Sequence, residues 1–331
     1  MKPGTRELPL IIISQFCCTS LWFASNGVMN DLVAGFSLEE GALGYLTSAV
    51  QFGFISGTLC FAIFTIADRF SPSKVFLVSA LLAAVFNLGT IIESNTLWTL
   101  TSFRFFTGFF LAGIYPVGMK IAADYHKEGL GKALGYLVGA LVLGTALPHL
   151  LKGLTAGLSW KLVLFTTSIL AVLGGMLTGI FVKDGPFRRA MQKMEFSTIS
   201  EIFKNASFRS AAFGYFGHMW ELYAFWAFVP VILGVYLQLH PDAVLDVPIL
   251  SFAVIAIGGL ACIMGGYISL RVGALKTAIV ALTYSGLCCL ISPLIIATPS
   301  TIVFIAFLFF WGMVVIADSP MFSTLVAHSA A

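Results

Sequence analysis

The sequence predicts an all-α polytopic membrane protein folded as two helical bundles joined by a basic linker. Three observations predict it: a composition too apolar for a soluble domain, ten apolar stretches of membrane-crossing length, and an internal repeat whose unit is six of those stretches. Of 331 residues, 59% are hydrophobic and only 10% charged, against roughly a quarter charged in ordinary soluble domains. The net charge of +3 is small and its basic residues are scattered, which argues against a nucleic-acid partner. All six cysteines (Cys17, Cys18, Cys60, Cys262, Cys288 and Cys289) lie in apolar runs and read as small buried hydrophobes. They form neither a disulfide framework nor a metal-ligand spacing. The reading is of a protein that is not an enzyme and uses no cofactor or metal.

At about 20 apolar residues per crossing, spans 1 to 10 are expected at residues 8–30, 43–67, 75–92, 97–123, 133–151, 162–182, 210–237, 247–270, 277–297 and 301–327. The first stretch is longer than the roughly 7–15 apolar residues of a signal peptide, so it reads as a span. Of the 18 Lys and Arg, Lys152 and Lys161 fall in loops on one side and Arg104 falls inside a helix; the other 15 fall on the opposite side. Cytoplasmic loops carry the basic excess, so both ends of this sequence are expected in the cytoplasm of a plasma or bacterial inner membrane. The longest inner connection, 183–209, reads as a linker between an N-terminal six-helix bundle (1–182) and an incomplete four-helix C-terminal bundle (210–331). Within it Thr198 and Glu201 match a capping box, and Ile199, Ile202 and Phe203 fall on one helical face. That segment is either a short interfacial helix or an irregular basic linker.

The repeat emerges when the chain is slid on itself. At offset 202, Gly57 meets Gly259, Arg69 meets Arg271 and Lys74 meets Lys276. At offset 204, Trp22 meets Trp226, and Phe105, Phe106, Gly108 and Pro116 meet Phe309, Phe310, Gly312 and Pro320. Spans 1, 2 and 4 thus recur as spans 7, 8 and 10, a parallel repeat of the kind that builds two-bundle transporters.

These residues resemble the major facilitator superfamily over essentially the whole chain. After span 2 that family carries Gly, three residues, Asp-Arg, any residue and Gly-Arg-Arg/Lys; here Asp68-Arg69 and a displaced Lys74 remain, with Phe64 and Ser71 at the glycine positions. The second copy keeps Gly266, Arg271 and Gly273, with Leu270 in place of the acid. In span 4, Arg104, Thr107 and Gly108 are similar to the family's Arg-x-x-Gln-Gly, and in span 5 Gly135, Gly144 and Pro148 are similar to a degraded antiporter glycine-proline motif. The resemblance implies twelve spans, so the expectation is that the last two lie outside this sequence, through truncation or a partial sequence. It also implies that spans 1, 4, 7 and 10 line a central cavity.

Ionisable residues inside a membrane are functional candidates by default. They fall largely on that set: Arg104 on span 4, His218 and Glu221 on span 7, and Asp318 on span 10. Gln15, Ser25 and Asn26 add neutral polar groups on span 1. His218 and Glu221 are spaced i, i+3 and can touch, so Glu221 is read as the residue that loads and releases a proton, with His218 as its relay. Trp226 joins Trp22, Trp220 and Tyr223 as an aromatic that could stack a substrate. Asp68, Arg69 and Arg271 read as a conformational latch: the arginine binds the last carbonyls of span 2 while the acid meets a neighbouring helix N-terminus. Tyr115-Pro116 and Ser319-Pro320 read as bends, and Gly135 with Gly139 as a face for close helix approach. The functional expectation is a monomeric secondary active transporter that binds a small molecule and H+ in the lipid bilayer. The rival reading is a non-transporting membrane protein, receptor-like or an inactive fragment.

Overall fold

The computed structural model describes residues 6–39, 41–126, 130–188 and 202–330. The capping box at 198–201 lies outside the described residues. The chain divides into two compact units, Met1–Met194 and Glu195–Ala331. Among the described residues nine helices are long and apolar enough to cross a membrane, and a shorter apolar helix, Glu7–Thr19, precedes them. That helix is the first part of span 1. It falls short because the span is interrupted: after Thr19 the chain passes through turns at 20–25, a 3-10 turn at Asn26–Val28, and resumes as Met29–Phe36.

Side-chain hydroxyls bond to the backbone where the helix stops. Thr19 Oγ1 donates to the Gln15 carbonyl at 2.8 Å and Ser20 Oγ to the Cys17 carbonyl at 2.6 Å. Hydroxyls bonded back onto the preceding turn compete with the helix ladder and bend it.

In unit 1, span 2 (Ala42–Ile63) crosses the first half of span 4 (Leu97–Leu111) at reciprocal glycines. A Cβ on Gly53 would run into the Phe105 carbonyl, and one on Gly108 into the Val50 carbonyl. Between membrane helices lipid supplies no hydrophobic drive, so close backbone contact of this kind supplies the packing. Span 3 (Pro72–Gly89) begins with its proline at the first helical position, where the missing N–H costs nothing. Span 6 (Lys161–Phe181) fits onto it at Gly175, against Ala80, and onto span 1 at Gly174, against the Ser14 carbonyl. Span 5 (Leu130–Leu154) approaches span 1 at Gly144, against Phe16 and Thr19, and Gly27 meets Pro148. A Cβ on Gly135 or Gly139, expected to be the close-approach face, would meet nothing within 4 Å among the described residues; the contact forms further along the same helix, at Gly144.

Unit 2 opens with span 7, a single 34-residue helix, Ala206–Leu239, that runs through Pro230 and is capped by Asn205. Span 8 is Val247–Ala256 and Gly258–Val272, and span 9 is Ala274–Ile296, entered through Gly273 at φ +89°. Only glycine adopts that backbone without strain. Span 10 is Thr301–Val314 followed by Ser319–Ala330. Gly312 meets the Val254 carbonyl, which repeats the Gly108–Val50 crossing of unit 1 at offset 204. Spans 4 and 10 are both non-helical just before their prolines, at 112–114 and 315–318. The prolines open the second halves rather than bend continuous helices, because a proline ring tolerates the first turn of a helix and clashes in its interior.

Candidate functional site

Polar groups gather at three places. The first lies inside unit 1, around Arg104, which is completely buried. Its Nη1 donates to the Leu21 carbonyl at 3.1 Å and to Asn87 Oδ1 at 3.4 Å, and its Nη2 to the Trp22 carbonyl. Both carbonyls belong to the interrupted stretch of span 1, where the helix no longer uses them fully. Asn87, on span 3, turns its amide to span 6: Nδ2 donates to Ser168 Oγ at 2.9 Å, and to Thr167 Oγ1 and the Leu164 carbonyl, both at 3.3 Å. One cation and one amide therefore tie spans 1, 3, 4 and 6 together. The break is further fixed to span 2, where Asn26 Nδ2 donates to Thr47 Oγ1 at 2.8 Å and Trp22 Nε1 to Gln51 Oε1 at 3.2 Å. Gln15 is fully buried against Gly118, and neither atom of its amide has a partner among the described residues.

The second place lies inside unit 2, at the interruption of span 10. His218 Nδ1 sits 3.0 Å from Asp318 Oδ1, off the line of a straight hydrogen bond, and its Nε2 is 2.6 Å from Ser319 Oγ. His218 and Asp318 are each 1% exposed. Tyr215 and Phe322 stack on the imidazole, with ring centroids 6.3 and 5.6 Å away. The expected His218–Glu221 hydrogen bond is not formed. Glu221 instead accepts from Ser285 Oγ of span 9. One turn of helix separates the two side chains along span 7, but they face different neighbours. Trp226 is fully buried and packs edge-on against Tyr223, at 5.6 Å between centroids.

The third is the end of unit 1 where span 2 closes. Asp68 does not reach a helix N-terminus; it pairs with Lys120 of span 4 at 2.8 Å. The carbonyls of Asp68 and Phe70 are taken by Arg188, at 3.0 and 2.8 Å, rather than by Arg69. Arg188 also pairs with Asp184, which accepts from Ser71 at 2.6 Å, and Tyr125 donates to the Lys183 carbonyl at 2.8 Å. The beginning of the linker is thus sewn onto spans 2, 3 and 4. Arg69 and Arg271 are exposed and have no partner among the described residues. At the opposite end Lys161 bonds Glu93 at 3.0 Å, and that hydrogen bond and charge hold the exposed Glu93 carboxyl below its ordinary pKa.

Sequence reasoning missed Asn87, Ser285, Ser319, Lys120 and Arg188 as partners. Asn87 had a signal, a lone amide in the middle of an apolar run; Lys120 and Arg188 entered only the count of basic residues on the inner side. Among the described residues no group of three His, Cys, Asp or Glu could hold a metal ion.

The model of the Major Facilitator Superfamily matches residues 11–331. The chain belongs to the major facilitator superfamily. Among curated proteins it is 27% identical over 180 residues to a putative uncharacterized transporter, YgaY, of Escherichia coli (strain K12), covering 52% of this chain and 44% of that protein. It is 31% identical over 144 residues to a multi-drug resistance efflux pump PmrA homolog of Lactococcus lactis subsp. lactis (strain IL1403), covering 43% and 35%. The aligned stretches thus span less than half the length of these relatives. Among solved structures, the nucleoside transporter NupG superposes with a TM-score of 0.72 at 12% identity, over 98% of this chain and 88% of that one. A bacterial homolog of the lysosomal transporter Spinster, inward-facing and occupied, gives 0.67 at 16% identity, over 100% and 77%. These likenesses carry the fold. Membership of the superfamily, with nine helices among the described residues long and apolar enough to cross a membrane, makes this an integral membrane protein, and the curated relatives it matches are named as transporters.

Proposed function

We propose that the protein is a secondary active transporter that moves a small solute by alternating access, coupled to protons. It works as a monomer in a plasma membrane of the bacterial inner-membrane type, with both ends of this sequence in the cytoplasm. The observation that carries proton coupling is the His218–Asp318–Ser319 cluster. An imidazole with a carboxylate on one nitrogen and a hydroxyl on the other can hold or release one proton. Here it does so where span 10 is already interrupted, so a change of charge acts on a joint between two half-helices. The other titratable groups of unit 2 near this cluster are Tyr215 against the imidazole, Cys262, which donates to the Ile316 carbonyl, and Glu221, bonded to Ser285. Because Glu221 turns to span 9, Asp318 takes the coupling role that the sequence suggested for Glu221. Alternation is supported by spans 4 and 10, interrupted at equivalent places so that each is two half-helices meeting at a joint.

The test is transport in proteoliposomes, first screening radiolabelled and fluorescent solutes and then imposing a pH gradient. Asp318→Asn keeps the shape of the side chain but cannot change charge. Gradient-driven uptake is expected to fall by about two orders of magnitude, the scale of a lost proton-transfer group, while exchange without a gradient persists. Glu221→Gln is expected to keep gradient-driven uptake. Unchanged uptake and pH dependence in Asp318→Asn would remove the cluster from the coupling mechanism.

A further inference from the structure

The proposed function leaves the solute open, and the interior of unit 1 narrows its chemical class; this step rests on that function only in taking the protein to bind a solute. A guanidinium has five N–H donors and does not lose its charge in a protein. The three hydrogen bonds of Arg104 all leave from Nη1 and Nη2 and all end on neutral acceptors, two carbonyls and an amide oxygen. Its Nε is buried and has no partner among the described residues. Four other cations of unit 1, near the ends of spans, each meet a carboxylate: Lys120 with Asp68, Lys152 with Asp31, Lys161 with Glu93 and Arg188 with Asp184. Arg104 lies deep in the bundle and has no carboxylate partner among the described residues. Its Nε edge is the side of the fork that accepts a planar oxyanion through two parallel hydrogen bonds. Ser25 Oγ, three residues beyond Trp22 on the same interrupted stretch, is likewise fully buried and has no partner among the described residues.

We propose that the Nε edge of Arg104 and the hydroxyl of Ser25 form an anion subsite, so that the transported solute carries an oxyanion, a carboxylate or a phosphate ester, rather than a cationic centre. The Nη atoms hold the carbonyls of Leu21 and Trp22, which fixes the fork, and the remaining edge supplies the charge that a neutral amide or hydroxyl pocket lacks. Ser25 adds a hydroxyl donor from the same interrupted stretch of span 1. The subsite needs no movement of a proton, so it is separable from the His218–Asp318 cluster.

The experiment uses the full chain in lipid nanodiscs and follows thermal unfolding and equilibrium binding with three probes: benzoate, phenyl phosphate and tetraphenylphosphonium. Saturating benzoate or phenyl phosphate is expected to raise the unfolding temperature, and the stronger of the two identifies the oxyanion. Tetraphenylphosphonium is expected to leave it unchanged. Ser25→Ala, which leaves the carbonyl clamp intact, is expected to weaken anion binding about tenfold, one lost hydrogen bond to a charged group. Arg104→Lys keeps the charge without the fork and is expected to weaken it further. No shift with either anion, equal shifts in wild type and both variants, or a shift with tetraphenylphosphonium alone would each overturn the subsite. Uptake of a cationic dye that is driven by a pH gradient and abolished by Asp318→Asn would sink the anion subsite while leaving proton-coupled transport standing.

Discussion

Span 1 and span 7 hold equivalent positions in the internal repeat, yet span 1 is interrupted at 20–25 and span 7 runs unbroken from Ala206 to Leu239. The residues at the break differ between the two copies. Thr19 and Ser20 bond back onto the preceding turn, whereas their counterparts at offset 204 are Tyr223 and Ala224, which lack a short hydroxyl that can do so. The clamp differs in step: Arg104, which takes the carbonyls released by the break, has Leu308 as its counterpart, buried and apolar. Unit 1 therefore carries an arginine bonded to neutral acceptors in its interior and unit 2 a histidine beside an aspartate. A repeated backbone has been given a guanidinium in one copy and an imidazole–carboxylate contact in the other.

The largest expected effect tests what the two units share. Gly108→Ala and Gly312→Ala each drive a methyl into a carbonyl of the crossing helix, and each should cost about 3 kcal/mol. Denaturation followed by tryptophan fluorescence in detergent should show both losses; a cost in one unit alone would break the repeat as a packing rule. Next comes the clamp that only unit 1 has. Arg104→Leu copies the residue of unit 2 and strands the Leu21 and Trp22 carbonyls, at about 2 kcal/mol. Hydrogen exchange should quicken around residues 20–25 and stay unchanged in span 7.

A smaller effect should come from making span 1 resemble span 7. Thr19→Val with Ser20→Ala removes the competing hydroxyls, and exchange at 20–25 should slow by a factor of about 5, equivalent to roughly 1 kcal/mol. Unchanged exchange would place the cause of the break in Arg104 alone. The smallest concerns the exposed Glu93–Lys161 pair. Since Lys161 lowers the folded pKa of Glu93, the pair's contribution is present above the ordinary carboxylate pKa and fades as pH falls through the lowered value. Glu93→Gln should remove that small acid sensitivity from the unfolding temperature, and an unaltered acid limb would show that the pair is without thermodynamic effect.

How legible each part was follows from how local its cause is. Apolar run length located ten spans because crossing a bilayer sets a one-dimensional requirement that a sequence displays directly. The interruptions of spans 4 and 10 were visible in Pro116 and Pro320, since proline acts on its own turn. The interruption of span 1 has no proline, and its hydroxyls are ordinary in a membrane helix until an arginine eighty residues away takes the freed carbonyls. Gly135 and Gly139 showed the spacing of a close helix approach, but only packing decides which of several glycines on span 5 meets a neighbour, and it chose Gly144.

The sequence by itself determined the membrane class, the approximate number of spans, the offsets of the internal repeat and the short roster of charged residues that must be accounted for inside the bilayer. These follow from composition and period, which are properties of the chain before it folds. Tertiary structure decided the partners: His218 with Asp318 instead of Glu221, Glu221 with Ser285, Asp68 with Lys120, and Arg188 rather than Arg69 on the carbonyls that close span 2. A buried polar group takes the acceptor or donor that helix packing brings within about 3 Å. Which group that is depends on the rotation and offset of neighbouring helices, set by the glycine contacts between them and by nothing that sequence spacing along one helix records.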